Sequence, residues 1–142
     1  MKNLNPLTKL TLLLAVLLTL GAARAQADIL PGVSISFAPV GLTMNQTARL
    51  NFVNIGEPGG LFIYWAFIDD KGNVLARSSV TLALGKTVSV DFKRQGGPLR
   101  AEVRAQVDIL NPGVPSESLG RSLEVFNSDT GATTVFMGGG TP

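Results

Sequence analysis

Over residues 99–109 every second residue is apolar. Leu99, Ala101, Val103, Ala105, Val107 and Ile109 alternate with Arg100, Glu102, Arg104, Gln106 and Asp108. A helix would scatter these residues around its axis; a strand, whose side chains alternate across the sheet, gathers them on one face. The same period recurs in Val33, Ile35 and Phe37. It recurs in Ala48, Leu50 and Phe52 against Thr47, Arg49 and Asn51, and in Val88, Val90 and Phe92 against Thr87, Ser89, Asp91 and Lys93. One apolar and one polar face per strand implies antiparallel sheets buried on one side. The run L-F-I-Y-W-A-F-I-D at 61–69 assigns Leu61, Ile63, Trp65 and Phe67 to the core. Asp70-Lys71-Gly72-Asn73 reads as a hairpin into a strand from Val74, and Ser128-Asp129-Thr130-Gly131 as a hairpin between strands 121–127 and 132–137. Segments 56–60, 95–98 and 111–118 are looser loops rich in Gly, Pro and Ser.

These observations predict an all-β fold, an immunoglobulin-like two-sheet antiparallel sandwich of about seven to eight strands. A repeat supports it. "LTMNQTARLNF" at 42–52 returns as "LALGKTVSVDF" at 82–92, with Leu42, Thr47 and Phe52 matched by Leu82, Thr87 and Phe92. Asn45 and Gly85 take equivalent turn positions, and both residue types tolerate the positive φ that tight turns need. Each copy leads through a Gly-rich loop into another strand. The repeat therefore reads as a unit of turn, strand, loop and strand, an architectural device.

The chain of 142 residues begins with Lys2 and Lys9, an apolar stretch from Leu10 to Leu20, and Ala23-Arg24-Ala25. This is the pattern of a secretory signal peptide. The apolar stretch is too short for a membrane span, which takes about 20 residues. The organisation expected is a signal peptide at 1–25, a sandwich at 26–137 and a flexible Gly-rich tail at 138–142, with the product secreted or periplasmic and no membrane span after cleavage. Loss of Lys2, Lys9 and Arg24 leaves nine basic against ten acidic residues, net −1, so the basic character belongs to the precursor. No basic run suggests nucleic acid.

The chain has neither Cys nor His. That removes Ser-His-Asp and Cys-His catalysis and the usual zinc and transition-metal sites. Carboxylates alone could in principle hydrolyse glycosides, but the acidic residues are scattered singly. Asp69-Asp70-Lys71-Gly72-Asn73 offers oxygen ligands without a full calcium-loop pattern, and Lys71 would repel the ion. No catalytic residue, metal ligand or cofactor is expected.

Binding candidates remain. Opposite the core face of strand 61–69 lie Phe62, Tyr64 and Ile68, an apolar stripe of about 400–500 Å². A second set lies in loop 111–119, where Asn111, Ser116, Glu117 and Ser118 carry hydrogen-bonding groups. Loop 54–60, turn 84–86 and loop 111–119 are expected at one end of the sandwich, where such folds commonly recognise ligands.

The stretches "SFAPVGLTMNQTARLNFVN", "FIDDKGNVLA", "VTLALGKTVSVDF", "RAEVRAQV" and "LEVFNSDTGATTV" resemble those of small exported bacterial proteins with an immunoglobulin-like sandwich. The resemblance implies a fold and no catalytic residues. The functional expectation is a non-enzymatic exported binding or assembly domain, acting on a protein partner or on itself. A carbohydrate-binding module is the alternative. Exchange of the C-terminal strand between chains is one route to self-association.

Overall fold

The structure, a computed structural model, describes residues 32–94, 96 and 99–139. The expected signal peptide, residues 26–31, part of the 95–98 loop and the end of the tail lie outside the described residues. Among the described residues the alternation becomes nine strands: β1 (Val33–Ser36), β2 (Val40–Leu42), β3 (Gln46–Asn54), β4 (Leu61–Asp69), β5 (Val74–Leu82), β6 (Thr87–Lys93), β7 (Ala101–Ile109), β8 (Leu119–Asn127) and β9 (Thr133–Gly138). Eight coincide with runs legible in the sequence. The ninth, β2, has only three residues and exists because β7 offers a partner.

All pairings are antiparallel. Strands β1 and β2 both lie along β7, followed by β4 and β5, in a five-stranded sheet. The second sheet has the order β6-β3-β8-β9. The even-numbered positions of β3 (Ala48, Leu50, Phe52) and the odd-numbered positions of β4 and β7 (Leu61, Ile63, Phe67, Val103, Val107) form one buried cluster between the sheets. Phe67 stacks on Phe92 from the opposite sheet with centroids 5.4 Å apart. Trp65, expected in the core, is only half-buried. It packs edge-on against Phe67 but faces Ser78 of edge strand β5, which supplies no bulk to cover it.

The repeat turns out to be a pseudo-twofold. Strand β3 pairs with β6 so that Leu50 faces Val90, and β4 pairs with β7 so that Ala66 faces Gln106. Both pairs join residues 40 apart, the spacing of the repeat. One rotation through these two pairs relates β3–β4 to β6–β7. The turns agree: Asn45 and Gly85 have φ of 66° and 73°. Gln46 N–H donates to Thr43 C=O, and Lys86 N–H to Ala83 C=O.

This kernel has the pairings of strands B, C, E and F in an immunoglobulin sandwich, where B also neighbours A, and F also neighbours G. Here the flanking strands exchange places. The first strand lies on β7, and β8 lies on β3. Strand β9 also runs to Gly138, and Gly139 N–H donates to Arg121 C=O at 2.7 Å. The ladder thus holds two glycines that the sequence pattern assigns to the tail.

Candidate functional site

The outer face of the five-stranded sheet carries Phe62 and Tyr64 on its central strand β4. Phe62 is 38% exposed and Tyr64 half-buried. The expected third member of the stripe, Ile68, is only 8% exposed, which corrects the expectation that it is open to a partner. Its face is the expected one, since the β4–β7 register runs unbroken through Ile68. Cover from the neighbouring strands buries it, and the register shift on the β5 side, where Leu75 is the extra residue, brings Val74 beside it. Ile68 lies between Arg104 of β7 and Val74 of β5 in register, and a long arginine stem covers apolar neighbours while its head stays in water.

Polar groups flank the two rings. Phe62 faces Thr81, and Tyr64 lies between Ser79 and Asp108. Asp108 is buried. Its carboxylate accepts from Ser34 Oγ at 2.5 Å and from Gln106 Nε2 at 3.2 Å, tying β1 to β7. A buried polar group on a sheet face is tolerable when it is hydrogen-bonded.

The loops at 54–60, 84–86 and 111–119 do gather at one end. Ile55 N–H donates to Ser118 C=O, and Gly85 N–H to Asn54 C=O. Their polar side chains, however, are spent on the fold. Asn111 Oδ1 accepts from Phe62 N–H at 2.6 Å and its Nδ2 donates to Gly60 C=O at 3.1 Å. Ser116 and Ser118 are buried. Asn111, Ser116 and Ser118 therefore do not form the exposed donor set expected of a recognition loop; Glu117 alone of the four is exposed and polar toward solvent. The short 3-10 turn Ser116–Ser118 instead presents the carbonyl of Ser116 to Arg121 Nη1 at 3.0 Å. Burial lowers the pKa of the Arg121 guanidinium from its usual range, and the charge of Glu117 opposes that shift.

The residue organising this end is Asn54, which is fully buried. Its Nδ2 donates to the carbonyls of Glu57 and Leu82 at 2.7 and 2.9 Å, and its Oδ1 accepts from Glu57 N–H at 2.9 Å. The signal for it was available. From Ala48 to Phe52 the even-numbered positions of β3 face inward, and Asn54 continues that parity with a polar side chain.

At the other end, β5, β6 and β7 leave a shallow cleft of about 760 Å³ lined by Asp69, Lys71, Leu75, Phe92, Arg94 and Glu102, among others. Asp69 is committed to the hairpin. Its carboxylate accepts from Lys71 N–H, Asn73 N–H and Asn73 Nδ2 at 2.7–2.9 Å. The bond from the Asn73 side chain is the main cause that holds its pKa below the usual value, with the backbone bonds and Lys71 adding to it. The segment is a turn in which the carboxylate best placed for a cation already has three donors, two on Oδ1 and one on Oδ2.

No protein-family model, curated protein or solved structure matches this chain. No helix among the described residues is long and apolar enough to cross a membrane.

Proposed function

We propose that this chain is a non-catalytic, exported binding or assembly domain, an immunoglobulin-like sandwich of the kind the sequence resembles. It engages a protein partner through the outer face of its five-stranded sheet. The observation that carries the reading is the pair Phe62 and Tyr64, set side by side on a central strand within a polar surround. A central strand is held on both sides, so the rings are presented on a rigid platform, at little ordering cost on binding. Two rings offer about 300–400 Å² at most, against roughly 800 Å² per side in a standard interface. The contact must therefore spread onto Ser79 and Thr81 of β5. The loop end is the weaker candidate, because Asn111, Ser116 and Ser118 are engaged internally.

The test compares wild type with Tyr64→Arg in capture from envelope extract, with melting as the control for folding. Loss of a captured protein in a variant that melts normally supports the reading. Identical capture by both proteins removes the face from consideration.

A carbohydrate-binding module is the second reading. It is favoured by the hydroxyl groups of Ser79 and Thr81 beside two stacked-capable rings. Titration of Trp65 and Tyr64 fluorescence with soluble polysaccharides separates the two: a saturable change lost in Phe62→Ala selects the sugar.

A further inference from the structure

Among the described residues the sandwich has four strand edges, and one of them differs from the rest. At the β1/β2 edge the strands have four and three residues and are separated by a break containing Pro39. Edge strand β5 carries Arg77 and pairs with β4 through a bulge. Edge strand β6 carries Asp91 and Lys93, with Lys86 just before it. Short strands, prolines, charges and bulges are the devices by which proteins stop an open edge from recruiting another strand. Strand β9 has neither charge nor proline. After Asp129 no charged residue follows to the end of the chain. Its own irregularity, at Thr134 opposite Val125 and Phe126, lies at the hairpin end and leaves Val135–Gly138 in regular register.

The chemistry of this edge follows from the ladder. Gly139 donates to Arg121, and Met137 and Val135 lie opposite Leu123 and Val125. In an antiparallel pair, alternate residues bond to the neighbour while those between point their N–H and C=O the other way. Phe136 and Gly138 therefore direct theirs to the free edge. Phe136 is 65% exposed on the outer face, and Val135, directed between the sheets, remains 38% exposed. Among the described residues no strand lies beyond β9 to cover it.

We infer that β9 is a self-association edge. Two copies of this chain join β9 to β9 in antiparallel fashion about a twofold axis at Phe136, giving one continuous eight-stranded sheet. A second copy is the fitting occupant because the strand is self-complementary. With Phe136 opposite its own copy, Val135 lies opposite Met137 of the second chain, so both cross-strand pairs on this face and the other are apolar. No like charges meet. Phe136 finds the hydrogen bonds that an open edge lacks. The contact is well below the roughly 800 Å² per side of a standard interface, so the dimer is weak and depends on concentration.

The experiment is light scattering of the mature protein over a concentration series, with Phe136→Pro and Phe136→Lys alongside. Proline at this position removes a donor aimed at the free edge and spares the bonds to β8. Lysine places a charge on an already exposed position. The wild-type mass should rise toward that of a dimer, and both variants should stay monomeric with unchanged secondary structure. If the proline variant misfolds, the lysine variant decides alone. A wild type that stays monomeric at millimolar concentration overturns the inference and leaves the edge to a foreign strand. So does a dimer that persists in a folded Phe136→Lys variant. A dimer abolished by Tyr64→Arg and indifferent to Phe136→Lys would overturn it too, and would assign association to the outer face of β4.

Discussion

At one end of the sandwich Asn54 donates to the carbonyl of Leu82; at the other, Arg94, 40 residues later, donates to the carbonyl of Leu42 at 3.1 Å. The donor and acceptor in each bond are equivalent under the pseudo-twofold. The surroundings are not. Asn54 is fully buried beneath the 55–60 and 111–118 segments, while Arg94 lines an open cleft. The strand pair shows the same contrast. Toward the cleft, Arg49 and Asp91 form a two-pronged ion pair at 2.7 and 2.8 Å. The equivalent pair toward the loop end is neutral, with Ser89 Oγ donating to Asn51 Oδ1 at 2.6 Å. One local frame thus accepts either a short amide sealed under loops or long charged groups that reach solvent. The amide is suited to the sealed end because it satisfies donors and acceptors without a charge to desolvate.

The largest expected effect tests the sealed end. Asn54→Ala leaves the carbonyls of Glu57 and Leu82 without this donor and should cost about 2–3 kcal/mol. Arg94→Ala, where water can replace the guanidinium, should cost less than about 1 kcal/mol. Urea unfolding of both variants measures the difference, and equal losses would break the comparison. The turns come next. Gly85→Ala forces a Cβ into a left-handed conformation and should cost about 1–2 kcal/mol, whereas Asn45→Gly should change stability by less than about 0.5 kcal/mol. The ion pair ranks third. It is well exposed, and Arg49 also lies 4.7 Å from the centre of the Phe126 ring. Arg49→Ala should cost about 0.5–1 kcal/mol at low salt and less at about 1 M, while Ser89→Ala shows no such salt dependence.

The smallest effect is present at neutral pH and disappears in acid. The Asp69 pKa is depressed in the folded state, so its contribution is present above its unfolded pKa and is lost as pH falls through the folded value. Asp69→Ala should melt slightly below wild type at neutral pH. The gap should close below about pH 4, the usual carboxylate value. A gap unchanged across that range would mean that backbone geometry, and not the charged carboxylate, holds the hairpin.

Much of this fold was legible because alternation is a local property. Eight strands, both hairpins and the positive φ at Asn45 and Gly85 needed no partner to be read. The repeat also marked β3–β4 and β6–β7 as equivalent units, though their pairing with each other came only from the structure. The candidate face was less legible. Phe62 and Tyr64 were found on the outward side, but Ile68 was not separable from them, since it shares their face and is buried only by what the neighbouring strands place beside it, Arg104 and Val74. The loop residues were misread for a related reason. Asn, Ser and Glu in a loop look the same whether they face solvent or hold a neighbouring backbone, and Asn111 holds Phe62 and Gly60.

Residue order by itself determined the β character, the inward and outward faces, the turn positions and the absence of His and Cys chemistry. These follow from side-chain period, glycine-like turn conformations and the inventory of reactive groups. The tertiary structure decided where the outer strands lie: β1 on β7, β8 on β3, and β9 at an uncharged open edge. An edge strand carries the same alternating pattern whichever neighbour it joins. Its position is fixed by which pairing completes the core and satisfies its hydrogen bonds, and those are properties of the folded whole.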